Sequence, residues 1–411
     1  MIAQPHIQMA YLVSQYPAAN HTFILREILE LRRLGFEIHV ASIRAADRPF
    51  EKLSADEQCE QRSTFYVKPL GVWGILGANL QILFAMPAAY LSTFAYAVRL
   101  ARGKARTAVF NLIYFAEAAV VVGWMRREKL SHLHTHFTST VGLLAQRLVP
   151  ARASATIHGP AEFDDPEGFY LAEKIRAFHR IVAISEFGKS QLMRFSDSGQ
   201  WEKFRVVRLG VDVALYLPRP SRPNPAPWEI LFVGRLAPVK AVHVLIAATG
   251  WLVRRGRDIR LRLVGDGPCR ADLERLASER GIVEHVTFEG WQNADRVRTL
   301  YQQADIFCLP SLAEGIPVVL MEAMAMEIPC VATRVTGVPE LIRDREDGLL
   351  VAPGNEAELA EALERLLDDP ELRVRLGRSA RQRVLEEYDL HRNAQQLAQV
   401  FREFEVLRVT S

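Results

Sequence analysis

The sequence predicts an α/β protein of two Rossmann-like, doubly wound domains facing across a deep cleft. Three observations carry this. Strand-like and helix-like segments alternate along the chain, the pattern of parallel sheets with crossover helices. Five prolines fall within the ten residues Pro218–Pro227, and the same rhythm restarts after them. The length, 411 residues, suits roughly two or three domains. Hydrophobic residues make up 49% and charged residues 24%, an ordinary globular balance that excludes a disordered chain, a collagen-like repeat or a disulfide-stapled miniprotein. The formal net charge of +3 is too small for a whole-protein nucleic-acid binder. Cys59, Cys269, Cys308 and Cys330 are scattered, with no CxxC pair. Three of them adjoin apolar runs, so buried reduced thiols and a reducing compartment are expected. Met1-Ile-Ala-Gln-Pro-His lacks a basic region before a short apolar run, which reads as a first strand and not as a signal peptide.

In the first half, strands are expected at Gln8–Ser14, Phe36–Ile43, His132–Phe137, Ala153–His158, Ile181–Ser185 and Phe204–Leu209. A helix opening near Phe23 is ended by Gly35. The segment Pro69–Val98 has no charged residue. Its length alone would permit a membrane span. Asn79, Gln81, Pro87 and the glycines Gly71, Gly74 and Gly77 divide it into two shorter helical pieces. Arg99, Arg102, Lys104 and Arg106 follow with no acid among them. Apolar surface beside a basic cluster suits a protein lying on an anionic leaflet. Peripheral membrane contact through about 69–106 is therefore the expectation, ordinary burial of two helices the alternative, and cytoplasmic, peripheral localisation the consequence.

Prolines cannot donate to a sheet ladder and they stiffen the chain, so 210–227 reads as a linker between domains 1–209 and 228–389. A C-terminal helix of about 390–411 is expected to pack back on the first domain. In the second half, strands are expected at Glu229–Val233, Arg260–Val264, His285–Phe288, Ile306–Leu309 and Cys330–Ala332. Helices are expected at Val242–Arg254, Cys269–Arg280, Ala294–Ala304 and Val318–Met326. Asn355 with Glu358 forms a capping pair for a helix over Ala357–Leu367.

In open parallel sheets ligands sit beyond the carboxyl ends of the strands, so the residues there are the candidates for chemistry. After one strand come Gly234 and Arg235, then Lys240. The glycine admits a close ligand and the two cations suit a diphosphate. After the next come Gly265, Asp266 and Gly267. This is only a GxG with Arg270 where a dinucleotide fingerprint needs glycine, and it disfavours a dehydrogenase. The richest stretch is Ser311-Leu-Ala-Glu314-Gly315-Ile316-Pro317-Val318, continuing to Glu322. Pro317 suits a helix's first turn, leaving the amides of Gly315, Ile316 and Val318 as a ready phosphate site. A phosphate there would repel Glu314 unless its carboxylate turns to another partner, such as sugar hydroxyls. Glu322 could accept hydrogen bonds from a ribose diol. The plainer alternatives are Glu314 as a helix cap and Glu322 as a solvated helical residue.

Glu314-Gly-Ile-Pro-x5-Glu322, with Val-Gly234-Arg-x4-Lys240 and Leu-Val-Gly265-Asp-Gly-Pro before it, resembles the retaining nucleotide-sugar glycosyltransferases of family 4, which have the GT-B fold. Pro329-Cys-Val-Ala-Thr-Arg-Val-Thr-Gly-Val-Pro-Glu-Leu-Ile and Asp347-Gly-Leu-Leu-Val-Ala-Pro-Gly-Asn extend the resemblance over the second half. The first half resembles the bacterial exopolysaccharide and colanic-acid branch. The carrying stretches are Tyr11-Leu-Val-Ser-Gln-Tyr-Pro, Thr22-Phe-Ile-Leu-Arg-Glu-Ile, His132-Leu-His134-Thr-His136-Phe, Thr156-Ile-His158-Gly-Pro-Ala-Glu-Phe and Ala183-Ile-Ser-Glu-Phe-Gly-Lys. The resemblance implies that His158, Arg235, Lys240 and Glu314 serve catalysis. It assigns Arg235 and Lys240 to the donor diphosphate, Glu314 to donor-sugar hydroxyls, the Gly315 and Ile316 amides to phosphate and Glu322 to ribose. Gly234, Gly265, Asp266, Pro317 and Val318 complete the donor side, and Asn20, His136 and His158 the acceptor side. The chain departs from the family at Ala18-Ala19-Asn20, where a glycine pair is usual, and at Leu209, where Asn usually precedes Gly-Val-Asp.

The implied reaction moves a sugar, with retention, from a nucleotide-diphosphate sugar to a lipid-linked oligosaccharide or other glycan in surface polysaccharide synthesis. Two cations and helix amides would stabilise the departing diphosphate, so no metal or cofactor is expected. His134 and His136 alternate on one strand face, but no third metal ligand is visible at a sensible spacing. The competing readings are a transferase with a soluble small-molecule or glucan acceptor and a catalytically silent binding subunit.

Overall fold

The computed structural model describes residues 7–137, 139–149, 151–218 and 227–406. The chain divides into two compact units. The first runs to Ile184, takes Gly188–Val207 and resumes at Ala394. The second holds Ser185–Phe187 with Arg208–Asn393. The prolines expected as linker lie largely at 219–226, outside the described residues.

The first unit is built on β1 (Ile7–Gln15), β2 (Phe36–Arg44), β3 (Phe65–Tyr66), β4 (His132–His136), β5 (Arg152–Ile157), β6 (Arg180–Ala183) and β7 (Phe204–Val206). All pairs are parallel, in the order β3-β2-β1-β4-β5-β6-β7. Chain order reverses between β1 and β4, so the loops after these two strands flank the switch point where such sheets bind ligands. The helix Thr22–Arg33 lays Ile24, Leu25, Ile28 and Leu31 on the sheet and stops at Gly35, whose φ of 90° only glycine adopts freely. Each of these side chains contributes about 1.5–3 kcal/mol by leaving water. Leu397, Ala398, Val400 and Phe401 of the C-terminal helix Leu390–Val406 join the same core.

A long crossover joins β3 to β4 through helices Gly71–Ala85, Pro87–Leu100 and Ala105–Arg127. The uncharged segment breaks at Met86–Pro87, where proline removes a helical donor. The Asn79 amide donates to the Ile75 and Ala116 carbonyls, and Tyr90 Oη donates to Asn79, tying the three helices together. The helix Ala105–Arg127 is long and apolar enough to cross a membrane, but 61% of its apolar window is buried within the protein. The helix Gly71–Ala85 is the opposite case. Trp73 is 85% and Phe84 81% exposed, with Leu76 and Leu80 between them on the same face. Ordinary burial of this helix, the alternative reading of the sequence, does not hold.

The second unit is built on β8 (Trp228–Val233), β9 (Ile259–Val264), β10 (Val286–Gly290), β11 (Ile306–Leu309), β12 (Cys330–Thr333) and β13 (Leu349–Val351). These are again all parallel, in the order β10-β9-β8-β11-β12-β13, with the reversal between β8 and β11. The edge strands β3 and β13, two and three residues long, are too short for periodicity to reveal. The second unit also begins earlier than the prolines suggest. Val211 N–H donates to the Tyr388 carbonyl at 2.9 Å, Leu390 N–H donates to Val211 at 3.1 Å, and Tyr216 is buried. Residues 208–216, expected as strand end and linker, are thus packed into this unit. Cys308 and Cys330 are buried, but Cys269 is half-buried and Cys59 exposed, so only two of the expected buried thiols are such. Burial raises the pKa of both buried thiols.

Candidate active site

In the second unit, four loops at the carboxyl ends of the strands are stitched to one another. After β8, Leu236 N–H donates to the Asp266 carbonyl at 2.9 Å, and the Leu236 carbonyl accepts from Cys269 at 3.0 Å. A Cβ at position 265 would stand 1.9 Å from the Gly234 carbonyl oxygen, so Gly265 is glycine to let two loops touch. After β11, Leu312 N–H donates to the Val239 carbonyl at 2.7 Å. After β12, the Thr336 hydroxyl accepts from Glu314 N–H at 3.1 Å, and Thr333 Oγ1 donates to the Ser311 carbonyl. At Gly337 a Cβ would come within 2.1 Å of the Gly315 carbonyl oxygen.

This stitching brings Lys240 and Glu314 together across the switch point. Lys240 Nζ is hydrogen-bonded and ion-paired to Glu314 Oε1, and Ser311 Oγ donates to the same oxygen at 2.6 Å. Glu314 is 9% exposed, so its carboxylate is turned into the loop and not out to solvent. The amides of Gly315, Ile316 and Val318 donate to no protein group among the described residues. They open the helix Val318–Ala325, in which Pro317 is the N-cap residue and not the first helical one. Arg235 is exposed, and its guanidinium has no protein partner among the described residues. The arrangement offers an anion unpaired amides and, through its pairing with Glu314, the Lys240 cation.

Two expected donor residues have other duties in the structure. Asp266 Oδ1 accepts from Gly267 N–H at 2.7 Å, and its other oxygen lies 3.5 Å from Arg270, which makes it a turn-forming residue. Glu322 accepts from Tyr216 Oη at 2.6 Å and from Tyr301 Oη at 3.2 Å. Burial and the Glu322 charge hold the Tyr301 phenol well above its ordinary pKa, so it stays a donor. Neither tyrosine is visible in a motif, because each reaches Glu322 from a distant segment.

In the first unit the expected acceptor-side residues separate. Asn20 lies exposed in the turn Ala19–His21 after β1. His136 is wholly buried, which corrects its placement as an acceptor-facing residue. Its Nδ1 is 3.0 Å from His158 Nε2, and its Nε2 is 3.3 Å from Glu27 Oε1. His158, just beyond β5, stacks on Phe137 at 4.5 Å between ring centroids. Burial first, and then His136 and His21, push the His158 pKa well below the ordinary value; burial and the other histidines do the same for His134. Glu27, His134 and His136 place ligand-type atoms within 4.8 Å of one another. This is the third group the sequence did not offer for a metal. Both His134 nitrogens are taken up within the sheet, however, by Ser154 Oγ at 2.8 Å and Thr156 Oγ1 at 3.0 Å. The signal for Glu27 was available: it lies in the stripe Ile24, Ile28, Leu31, where an acid requires a partner.

A family profile described as glycosyl transferases group 1 matches residues 217–383. A D-inositol 3-phosphate glycosyltransferase of Saccharomonospora viridis is 33% identical over 298 residues, 69% of this chain and 67% of that protein. The chain belongs to the glycosyl transferases of group 1. Another relative, named a colanic acid biosynthesis glycosyltransferase, WcaL of Escherichia coli, is 26% identical over 369 residues, 87% of this chain and 90% of that one. Among solved structures, HepE of Anabaena, in complex with UDP and glucose, matches with a TM-score of 0.74 at 19% identity, covering 97% of this chain and 100% of that one. The fold of this group 1 glycosyltransferase is therefore the expected α/β arrangement of two Rossmann-like domains, GT-B.

Proposed function

We propose that the protein is a retaining glycosyltransferase of the family 4 type. It would move a sugar from a nucleotide-diphosphate donor to a lipid-linked or other glycan acceptor in surface polysaccharide synthesis. The observation that carries the donor half is the Lys240–Glu314 pair beside the amides of Gly315, Ile316 and Val318. As the glycosidic bond breaks, negative charge grows on the departing diphosphate, and fixed amides with Lys240 and Arg235 stabilise it where it grows. Glu314, released from part of its bond to Lys240, would accept from donor-sugar hydroxyls. Glu322, with two tyrosines directing it, would accept from a ribose diol. His158 would face the reacting sugar. The leaving phosphate is the base we assign for the acceptor's proton, and no metal is assigned. The kinship with WcaL supports the polysaccharide setting.

The acceptor half rests on the helical crossover of the first unit. Twelve of the 23 large hydrophobic side chains exposed among the described residues lie between Leu70 and Ile113. Residues 61–116 contain six Lys and Arg and no Asp or Glu. An apolar face with basic residues beside it, of which Arg102 is paired to Glu167 and Glu173, suits an anionic bilayer surface, and we assign the protein to the cytoplasmic face as a peripheral protein. Sedimentation with vesicles containing anionic lipid should capture wild type and lose the Trp73→Ser, Phe84→Ser double variant; equal capture of both overturns the membrane reading.

The decisive experiment is hydrolysis of a panel of UDP-, GDP- and dTDP-sugars, with and without chelator, by wild type and Glu314→Ala. One donor turned over by wild type, unaffected by chelator and lost in the variant, is the expected result. Binding of no donor would instead make the protein a silent subunit.

A further inference from the structure

We infer that Glu27 is a positioning residue for transfer: through His136 it holds the His158 imidazole in the Nε2–H tautomer, so that His158 Nδ1 presents a lone pair to a ligand hydroxyl. The inference rests on the proposed reading that His158 faces the reacting sugar. It begins at Tyr11, whose hydroxyl donates to Glu27 Oε1 at 2.9 Å. Burial, and next the Glu27 charge, raise the Tyr11 pKa well above its ordinary value, so the phenol keeps its proton and Oε1 is an acceptor. His136 Nε2 lies 3.3 Å from that same oxygen. That contact lies outside hydrogen-bond geometry, but a lone pair on Nε2 would face the carboxylate's own charge, so the ring proton is placed on Nε2, and which nitrogen is protonated fixes what the other can do. His136 Nδ1 then accepts from His158 Nε2 at 3.0 Å.

His158 Nδ1 is left as an acceptor, and it has no hydrogen-bond partner among the described residues although the residue is 7% exposed. A buried acceptor without a partner is costly. Such a group in a native protein calls for an explanation, and a ligand hydroxyl supplies one. Phe137 stacked at 4.5 Å and Phe23 at 5.1 Å hold the His158 ring in place. A carboxylate in the apolar stripe of Thr22–Arg33 costs stability that a leucine would not. Directing a tautomer accounts for its presence better than binding a metal, since both nitrogens of His134 are already engaged.

The test uses the full chain labelled with 15N-histidine, as wild type, Glu27→Gln and His158→Ala, the last to assign the ring signals. Wild-type His158 should show a protonated Nε2 and a bare Nδ1, and Glu27→Gln should lose that preference. With the nucleotide sugar selected by the panel, Glu27→Gln should lower kcat about tenfold or more and leave the donor KM within about twofold. Tyr11→Phe keeps the ring and removes the hydroxyl. It should shift tautomer and kcat in the same direction by less, and it serves if Glu27→Gln does not fold. Unchanged His158 ring signals in Glu27→Gln, beside a crippled His158→Ala, overturn the relay alone. Full activity of His158→Ala overturns the site reading on which it rests.

Discussion

The Lys240–Glu314 loops of the second unit and the histidine face of the first are both polar clusters at a sheet's switch point, yet they are built in opposite ways. Lys240 and Glu314 stand beyond the strand ends, Lys240 partly open to solvent and Glu314 turned inward, and pair with each other. His134 and His136 stand within β4, wholly buried; His134 takes its partners Ser154 and Thr156 from the neighbouring strand, and His136 meets His158 and Glu27. A loop site can rearrange its partners when an anion arrives. A buried face has no such freedom and can only fix the state of the group at its rim, which here is His158.

Substitutions can break or sharpen that contrast. The largest effect is expected from Glu314→Ala, with a loss of about 100- to 1,000-fold in kcat for donor hydrolysis and an unaltered far-ultraviolet dichroism spectrum. Turnover within threefold of wild type would remove the loops from the chemistry. Gly337→Ala should be next. Its Cβ meets the Gly315 carbonyl oxygen at 2.1 Å, a backbone atom that cannot swing aside. We expect about 1–3 kcal/mol of destabilisation by urea unfolding together with weakened nucleotide binding. Tyr216→Phe, which removes one donor to Glu322 but keeps the ring, should raise the donor KM about fivefold at nearly constant kcat. On the histidine side, His134 and His158 have pKa values well below 6.5, so at pH 6.5, where a free imidazole is half-charged, both rings should still be neutral by 15N NMR. A protonation step at that pH would mean that the face is open to water.

The sequence discloses the loop region far better than the buried one, for a physical reason. Glu314, Gly315, Ile316, Pro317 and Glu322 lie within one strand–loop–helix unit, and Lys240 follows the neighbouring strand, so local reading and strand order suffice to assemble them. The helix Val242–Arg254 and the strand Ile306–Leu309 were legible to the residue because long apolar runs end at clear breaks. Glu27, His136 and His158 come from three segments joined only by helix packing and sheet pairing, and Tyr216 and Tyr301 reach Glu322 in the same long-range way. The start of the second unit at Arg208 was hidden for a similar reason. Prolines mark where the chain cannot pair, but Val211 and Tyr216 pack into the second unit ahead of them, through contacts with residues more than a hundred positions away. Asp266, placed on the donor side by the resemblance, also accepts a hydrogen bond from Gly267 within its own turn, which the motif does not reveal.

The central claim is that the second unit carries a nucleoside-diphosphate site centred on Lys240. Calorimetric titration of wild type and Lys240→Ala with UDP, GDP and dTDP tests it most directly. The account predicts that one nucleotide binds wild type and that Lys240→Ala weakens it at least tenfold with the unfolding midpoint unmoved. Equal affinity of the two proteins for that nucleotide would contradict it.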